Sequence, residues 1–316
     1  MSPGHHPSYH TRDYRPGDEI AITELFGKVF GACLTEAHWR WKYTGAGLTL
    51  PLARLAFDSD GRLVGHAGAI ALRGWRQGRY LPFLQICDVM VHPTARGQLG
   101  QRNLFTRLAR ELLEEIAQRW PEAFAYGFPG RRPFRLGEYA GVYEEVERTV
   151  CLSRPVSKRR LPLPGTRALD WNDGWLDAFW TEQASTLPLA LARDRAYLDW
   201  RYARHPHHRY QLLGLQLAGL RFGWAVVQPI ENRLRVVDLL VARHWLKPAL
   251  RALDRVAGAI GLQAVEIWLP SGWRETVDGV LEPTEVVAAN MIWRLPLRTA
   301  TVREELYYTM GDLDIF

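Results

Sequence analysis

A chain that carries the same ordered set of strand and helix patterns twice has to bury two sets of apolar faces, and this 316-residue sequence reads that way. His38-Trp39-Arg40-Trp41-Lys42-Tyr43 closes one short helical pattern, and Tyr197-Leu198-Asp199-Trp200-Arg201-Tyr202 closes another, with Trp, a cation and Tyr in the same order. The matches continue in order. Leu52 to Phe57 and Leu63 to Ile70 read as a hairpin, mirrored by Tyr210 to Leu215 and Leu220 to Val227. Short β-branched runs follow, Ile86 to Val91 and Val236 to Val241, each with an aspartate at the same place, Asp88 and Asp238. A helix comes next in both copies, from about Asn103 to Arg119, with Leu104, Leu108, Leu112 and Ile116 on one face, and from Leu246 to Ile260. Each helix leads to a strand that ends in a Pro-Gly or Pro-Ser-Gly turn, Ala123 to Gly130 and Ala264 to Gly272, and then to further strands.

Strands and helices mixed in this order predict an α/β (α+β) fold of two modules, each a mixed, largely antiparallel sheet flanked by helices. Ser153 to Gly174, with its prolines and the run Lys158-Arg159-Arg160, reads as the linker, so the expected domains are 1–155 and 156–316. The length suits two cores, and 47% apolar with 23% charged residues is the composition of a packed protein. No apolar stretch reaches the ~18 residues of a membrane helix and no hydrophobic leader precedes Pro16, so a cytoplasmic protein is expected. Cys33, Cys87 and Cys151 lie far apart, which predicts buried, reduced thiols rather than disulfides or a zinc ribbon. The net charge of +6 is spread over scattered arginines, so nucleic acid is not the expected partner, and an anionic small molecule is served equally well. His205-Pro206-His207-His208 has no acidic or thiol ligand at metal-site spacing and is expected to be an exposed loop; no metal is expected.

The order of elements in the first copy, together with Val89-Met90-Val91-His92-Pro93-Thr94-Ala95-Arg96-Gly97, resembles the GNAT superfamily of N-acetyltransferases over roughly residues 10–152, and the second half resembles it as a faded copy. The resemblance implies a first module that binds acetyl-CoA or another acyl-CoA as co-substrate. Its binding residues are then Val89, Met90 and Val91 along the strand and Arg96, Gly97, Gln98, Gly100, Gln101, Arg102 and Asn103 around the loop. A glycine-bearing loop ahead of a helix leaves backbone N–H groups pointing outward at the positive end of the helix dipole, which suits a pyrophosphate. Leu99 and Gln101 stand where the family has small residues.

Moving an acyl group from a thioester to an amine needs a neutral amine, a donor that polarises the thioester carbonyl, and a proton for the leaving thiolate. The resemblance implies a backbone N–H of Val89 or Met90 as the polarising donor. Asp88 is the candidate base, with a structural role, as at Asp238, as its alternative; the position where the family often has its acid Tyr holds Gly137, and Tyr139 is the candidate in its place. The aromatic residues His38, Trp39, Trp41 and Tyr43 read either as acceptor pocket or as core, and their recurrence in the second copy favours core.

The activity implied is N-acyl transfer from acyl-CoA to the primary amine of a small molecule or amino sugar. A non-catalytic ligand-sensing or interaction protein of the same fold is the alternative. An aminoacyl-tRNA-dependent peptidoglycan-bridge-type transferase is the third reading, although its long helical arm has no counterpart here. The expected partners are acyl-CoA and a small amine, with no membrane, and a homodimer is one of the open oligomeric states.

Overall fold

The computed structural model describes residues 9–45, 51–96, 103–156 and 164–314. The chain divides into two compact units. The first comprises Met1–Leu72, Leu81–Val146 and Val287–Thr299, and the second Arg73–Tyr80, Glu147–Val286 and Ala300–Phe316. The changeover at Val146 precedes the boundary expected at residue 155, and each unit takes a segment from the other half of the sequence.

In the first unit the elements run β1 (His10–Asp13), α1 (Glu19–Phe30), α2 (Glu36–Thr44), β2 (Leu52–Phe57), β3 (Leu63–Arg76), β4 (Arg79–Val91), α3 (Leu104–Arg119), β5 (Phe124–Gly127), α4 (Arg131–Tyr139) and the start of β6 (Tyr143–Pro155). The strands lie in the order β1-β2-β3-β4-β5, and the C-terminal strand Val280–Met291 continues beyond β5 through Ala289 opposite Gly127 and Asn290 opposite Tyr126. Pairing is antiparallel except between β4 and β5, which are parallel with Phe83, Leu84 and Gln85 opposite Phe124, Ala125 and Tyr126. Helix α3 starts where the Asn103 side chain accepts the Thr106 N–H, and its Leu104, Leu108, Leu112 and Ile116 stripe is buried, as the spacing predicts. The helix comes so close to β3 that a Cβ at Gly65 would lie 2.7 Å from Leu108, so only glycine fits that position without displacement. Burying each of these leucines stabilises the unit by about 1.5–3 kcal/mol.

In the second unit Gln211–Leu217, Leu220–Ile230 and Arg233–Val241 form an antiparallel meander, with Ala264–Trp268 parallel to the last of them and helix Leu246–Ala259 as the crossover. The first turn of the meander is a two-residue connection with both Ala218 and Gly219 at positive φ, which matches the twist of paired strands. Here three expectations are corrected. Part of the supposed linker, Gly165–Ala168, is an edge strand paired with Leu213–Gln216, because its backbone groups find partners there even though its side chains carry little apolar periodicity. His205 is 2% exposed rather than a loop residue in water: its Nδ1 accepts the backbone N–H groups of His207 and His208 and so closes the turn. Among the cysteines Cys87 is buried but Cys33 is exposed; Cys151 is intermediate, and burial, with Glu266 and Glu282 nearby, pushes its thiol up to about 12. All three are free thiols.

Candidate functional site

The residues with chemistry in the first unit converge on Asp88. It lies inside β4 with φ +50°, a left-handed backbone that costs a non-glycine residue about 1 kcal/mol or more, so its surroundings have to hold it there. They grip it at both ends. On the side chain, Lys42 Nζ lies 2.8 Å and the Tyr43 hydroxyl 2.7 Å from Oδ2. On the main chain, His66 Nδ1 lies 2.7 Å from the Asp88 carbonyl oxygen. The Tyr43 hydroxyl also lies 3.4 Å from Cys87 Sγ.

Local sequence explains the convergence. Thr35 caps α2 by accepting the His38 N–H, and the helix carries Lys42 and Tyr43 in its last turn. Tyr43 can lie over β3 because residue 68 is glycine; a Cβ there would run into its phenol ring. Trp39 and Tyr43 stack at a 4.9 Å centroid separation and are both buried, so these two serve as packing, while Lys42 and the Tyr43 hydroxyl turn toward the strand. His66 projects from β3, where Leu55 of β2 is its register partner.

The electrostatics follow from burial and charge. Both the Lys42 and Asp88 side chains are only 6% exposed. Burial pushes the Asp88 carboxyl up, but the Lys42 charge and the hydrogen bonds from Lys42 and Tyr43 outweigh it and hold it below the ordinary carboxylate range. Asp88 is therefore ionised at neutral pH. Burial, and then the Asp88 charge, drive the Tyr43 phenol well up, so it stays a hydroxyl donor. Burial lowers His66 despite the Asp88 charge, which leaves a neutral ring. A carbonyl oxygen only accepts, so the His66 proton sits on Nδ1. Its Nε2 is then a bare acceptor, buried and without a hydrogen-bond partner among the described residues.

Beyond Asp88, among the described residues, no strand pairs with β4 on its β5 side. The ladder between β4 and β5 ends at Gln85 and Tyr126, and β5 itself ends at Gly127, whereas β4 runs on to Val91. The His92 N–H bonds Val64 O on β3, so by alternation Met90 also faces β3, and Val89 and Val91 face the opposite edge. At the end of that edge Arg96 Nε donates to the Val91 carbonyl at 2.9 Å, so that carbonyl has an internal partner already. Gly97, Gln98, Gly100, Gln101 and Arg102 lie outside the described residues; Arg96 and the helix cap Asn103 flank them.

Tyr139 stands at the end of α4 and is 69% exposed. Gly137 faces the ring of the buried Tyr143 so closely that any Cβ would collide with it, which is the physical reason that this position is not a tyrosine. The residues that sequence reasoning left without a role are Lys42 and His66. The signal for His66 was available: a histidine inside the apolar strand run Leu63 to Ile70 has to be satisfied by something.

Comparison with known proteins bears on the fold. Residues 10–139 match the model of the acetyltransferase (GNAT) domain. A probable N-acyltransferase from Enterococcus faecalis superposes with a TM-score of 0.69 at 14% identity, covering 92% of this chain and 74% of its own. A GCN5-related N-acetyltransferase from Anabaena variabilis gives 0.68 at 12% identity, covering 91% and 73%. The chain carries the GNAT fold. Saccharomyces cerevisiae N-myristoyltransferase, crystallised with myristoyl-CoA, superposes with a TM-score of 0.60 at 11% identity over 92% of this chain and 84% of that one. No curated protein matches the sequence. Among the described residues no helix is long and apolar enough to cross a membrane. The Lys42–Asp88–Tyr43 cluster lies at the kink of β4.

Proposed function

We propose that the protein is an acyl-CoA-dependent N-acyltransferase that moves an acetyl or other acyl group to the primary amine of a small molecule or amino sugar. One observation carries this reading: a left-handed kink at Asp88 is held by Lys42, Tyr43 and His66, and directly after it Val89 turns its backbone groups to a strand edge that β5 leaves open. That edge suits the extended amide-bearing arm of acyl-CoA, which would add to the sheet as a further strand with Val89 and Val91 as hydrogen-bonding positions. Because Arg96 engages the Val91 carbonyl, Val91 offers its N–H and Val89 offers both groups. Arg96, Asn103 and the intervening Gly97, Gln98, Gly100, Gln101 and Arg102 form the proposed diphosphate end.

In the reaction the Val89 N–H donates to the thioester oxygen as negative charge builds there, which stabilises the tetrahedral species. The neutral amine attacks the carbonyl carbon, the C–S bond breaks, and the amine proton passes to Asp88 directly or through a water. Held ionised by Lys42, Asp88 is always ready to accept, but its weak basicity means that the amine has to arrive unprotonated. The thiolate takes its proton from Tyr139 in this scheme. The second unit is read as a degenerate copy, so that the chain is a tandem of GNAT-like modules with acyl-CoA binding confined to the first.

A thiol-release assay with acetyl-CoA over a panel of small amines and amino sugars tests this. Turnover on at least one amine is the expected result. Acetyl-CoA binding with no turnover on any amine would turn the reading to a ligand-sensing protein, an alternative favoured by the way Tyr143 closes off position 137.

A further inference from the structure

We infer that His66 is a positioning residue for acyl transfer: through the single peptide plane joining Asp88 to Val89, its Nδ1–H aims and strengthens the Val89 N–H. The inference rests on the transferase reading and adds to it a residue that touches neither the acyl donor nor the amine.

The plane between Asp88 and Val89 is trans, so its carbonyl and its N–H point in opposite directions from one rigid unit. Its carbonyl end is gripped by His66 at 2.7 Å, on the β3 side. Its N–H end therefore points away from the His66 ring, and the alternation set by the His92 bond to Val64 turns it to the edge away from β3. Any rotation of this plane swings both ends together. A hydrogen bond to the carbonyl also draws electron density toward oxygen and makes the N–H a better donor, as in any chain of peptide hydrogen bonds.

Such a clamp is needed because Asp88 sits at φ +50°, where an L-residue in a strand does not rest unaided. The carboxylate is tied by Lys42 and Tyr43, which fixes the side chain but leaves the following plane free to turn about ψ. His66 supplies the missing restraint. The ring is itself immobile, being fully buried, and packs edge-on to Tyr43 at a 6.1 Å centroid distance. A neutral ring is required, because the Nδ1–H tautomer alone donates to the carbonyl while adding no positive charge beside Lys42.

Two measurements on the full chain test this. First, 15N NMR of the histidine-labelled wild-type protein at neutral pH reads the tautomer directly. A proton on Nδ1 and a bare Nε2 for His66 are expected; a proton on Nε2 alone, or a doubly protonated ring, overturns the inference. Second, His66→Phe keeps a ring of similar size but removes the donor. It is expected to lower kcat about 10²-fold with little change in the KM for acetyl-CoA, the scale of a small misplacement of a catalytic group. His66→Asn, whose side-chain amide stands close to where Nδ1–H stood, is expected to regain kcat to within about tenfold of wild type, the scale of a partly restored donor. Wild-type kcat in His66→Phe, or an Asn variant no better than the Phe one, overturns it. Should His66→Phe fail to fold, the tautomer of the wild type still decides. Should wild type acetylate no amine, the transferase reading falls, while the tautomer and the Val89 amide shift on His66→Asn substitution judge the clamp separately.

Discussion

The two units each tie a helix to a strand with a tyrosine hydroxyl on an aspartate, Tyr43 on Asp88 in the first and Tyr202 on Asp238 in the second, at 2.7 and 2.9 Å. What surrounds the two ties differs. In the first, Lys42, the residue beside the tyrosine, neutralises the carboxylate, His66 takes the adjacent carbonyl, and among the described residues no strand pairs the β5 side of β4 beyond it. In the second, Arg193 neutralises Asp238, and the C-terminal segment from Thr309 to Leu313 packs over it. Arg201, the counterpart of Lys42, instead bonds the carbonyls of Gly311 and Leu313. Tyr202 lies against Gly311 of that segment just as Tyr43 lies against Gly68 of its own sheet. The comparison teaches that the repeated tyrosine–aspartate pair ties a helix to a strand in both units, so any catalytic use of Asp88 depends on the residues around it in the first. The residues that are not repeated differ in what holds the carboxylate: Lys42 in the first unit, Arg193 with Thr309 in the second.

The sharpest way to break this comparison is at Arg193, which is fully buried between Asp238 and Asp312. Arg193→Leu leaves two carboxylates in the interior without their cation and should destabilise the second unit by about 5 kcal/mol, seen as an early transition in urea unfolding followed by tryptophan fluorescence. In the first unit Lys42→Met should cost about 3 kcal/mol at neutral pH for the same reason. Its pH dependence has a definite sign. In wild type the Asp88 carboxyl is held below its ordinary range, so the stability it contributes is present at neutral pH and is lost as pH falls through that depressed value. Without Lys42 burial dominates and raises it, so the variant should instead recover stability as the solution is acidified toward pH values where Asp88 protonates.

Asp312 provides a smaller and opposite signal. Burial raises its carboxyl to about 6, in spite of Arg193. A carboxyl raised on folding binds more protons in the native state, so the second unit should gain about 2 kcal/mol as pH falls from about 7 to below 5. This gain should vanish in Asp312→Asn, which unfolding measured across that pH range would reveal. The smallest effect is expected at Tyr139. Because it is 69% exposed, water can replace it as proton donor, so Tyr139→Phe should lower the acyl-transfer rate by no more than about tenfold, short of the usual effect of a general acid, and change stability by less than about 0.5 kcal/mol. A fall of about 10³-fold would mean that Tyr139 is enclosed with the substrate, and would make the two units more unlike than the comparison says.

Much of the architecture could be read from residue order. The stripe Leu104, Leu108, Leu112, Ile116 and the strand at Leu52–Phe57 appear in the structure where periodicity put them, because helix and strand spacing are local properties of the chain. Asp88 was also singled out from its position on the central strand. Its partners could not be, because Lys42 and His66 reach it across 46 and 22 residues and nothing in their own neighbourhoods encodes that meeting. For the same reason His205 and Gly165–Ala168 were misjudged: polar, proline-rich surroundings resemble a loop until a distant backbone supplies the hydrogen bonds.

Local pattern thus settles which elements form and where charge and apolar surface lie along them, since those depend on neighbours three or four residues away. Folding in three dimensions alone settles which carboxylate is gripped, by what, and whether its strand keeps an open edge. Those outcomes depend on burial and on long-range hydrogen bonds, and a buried carboxylate stays charged only if a cation is brought to it from elsewhere in the chain.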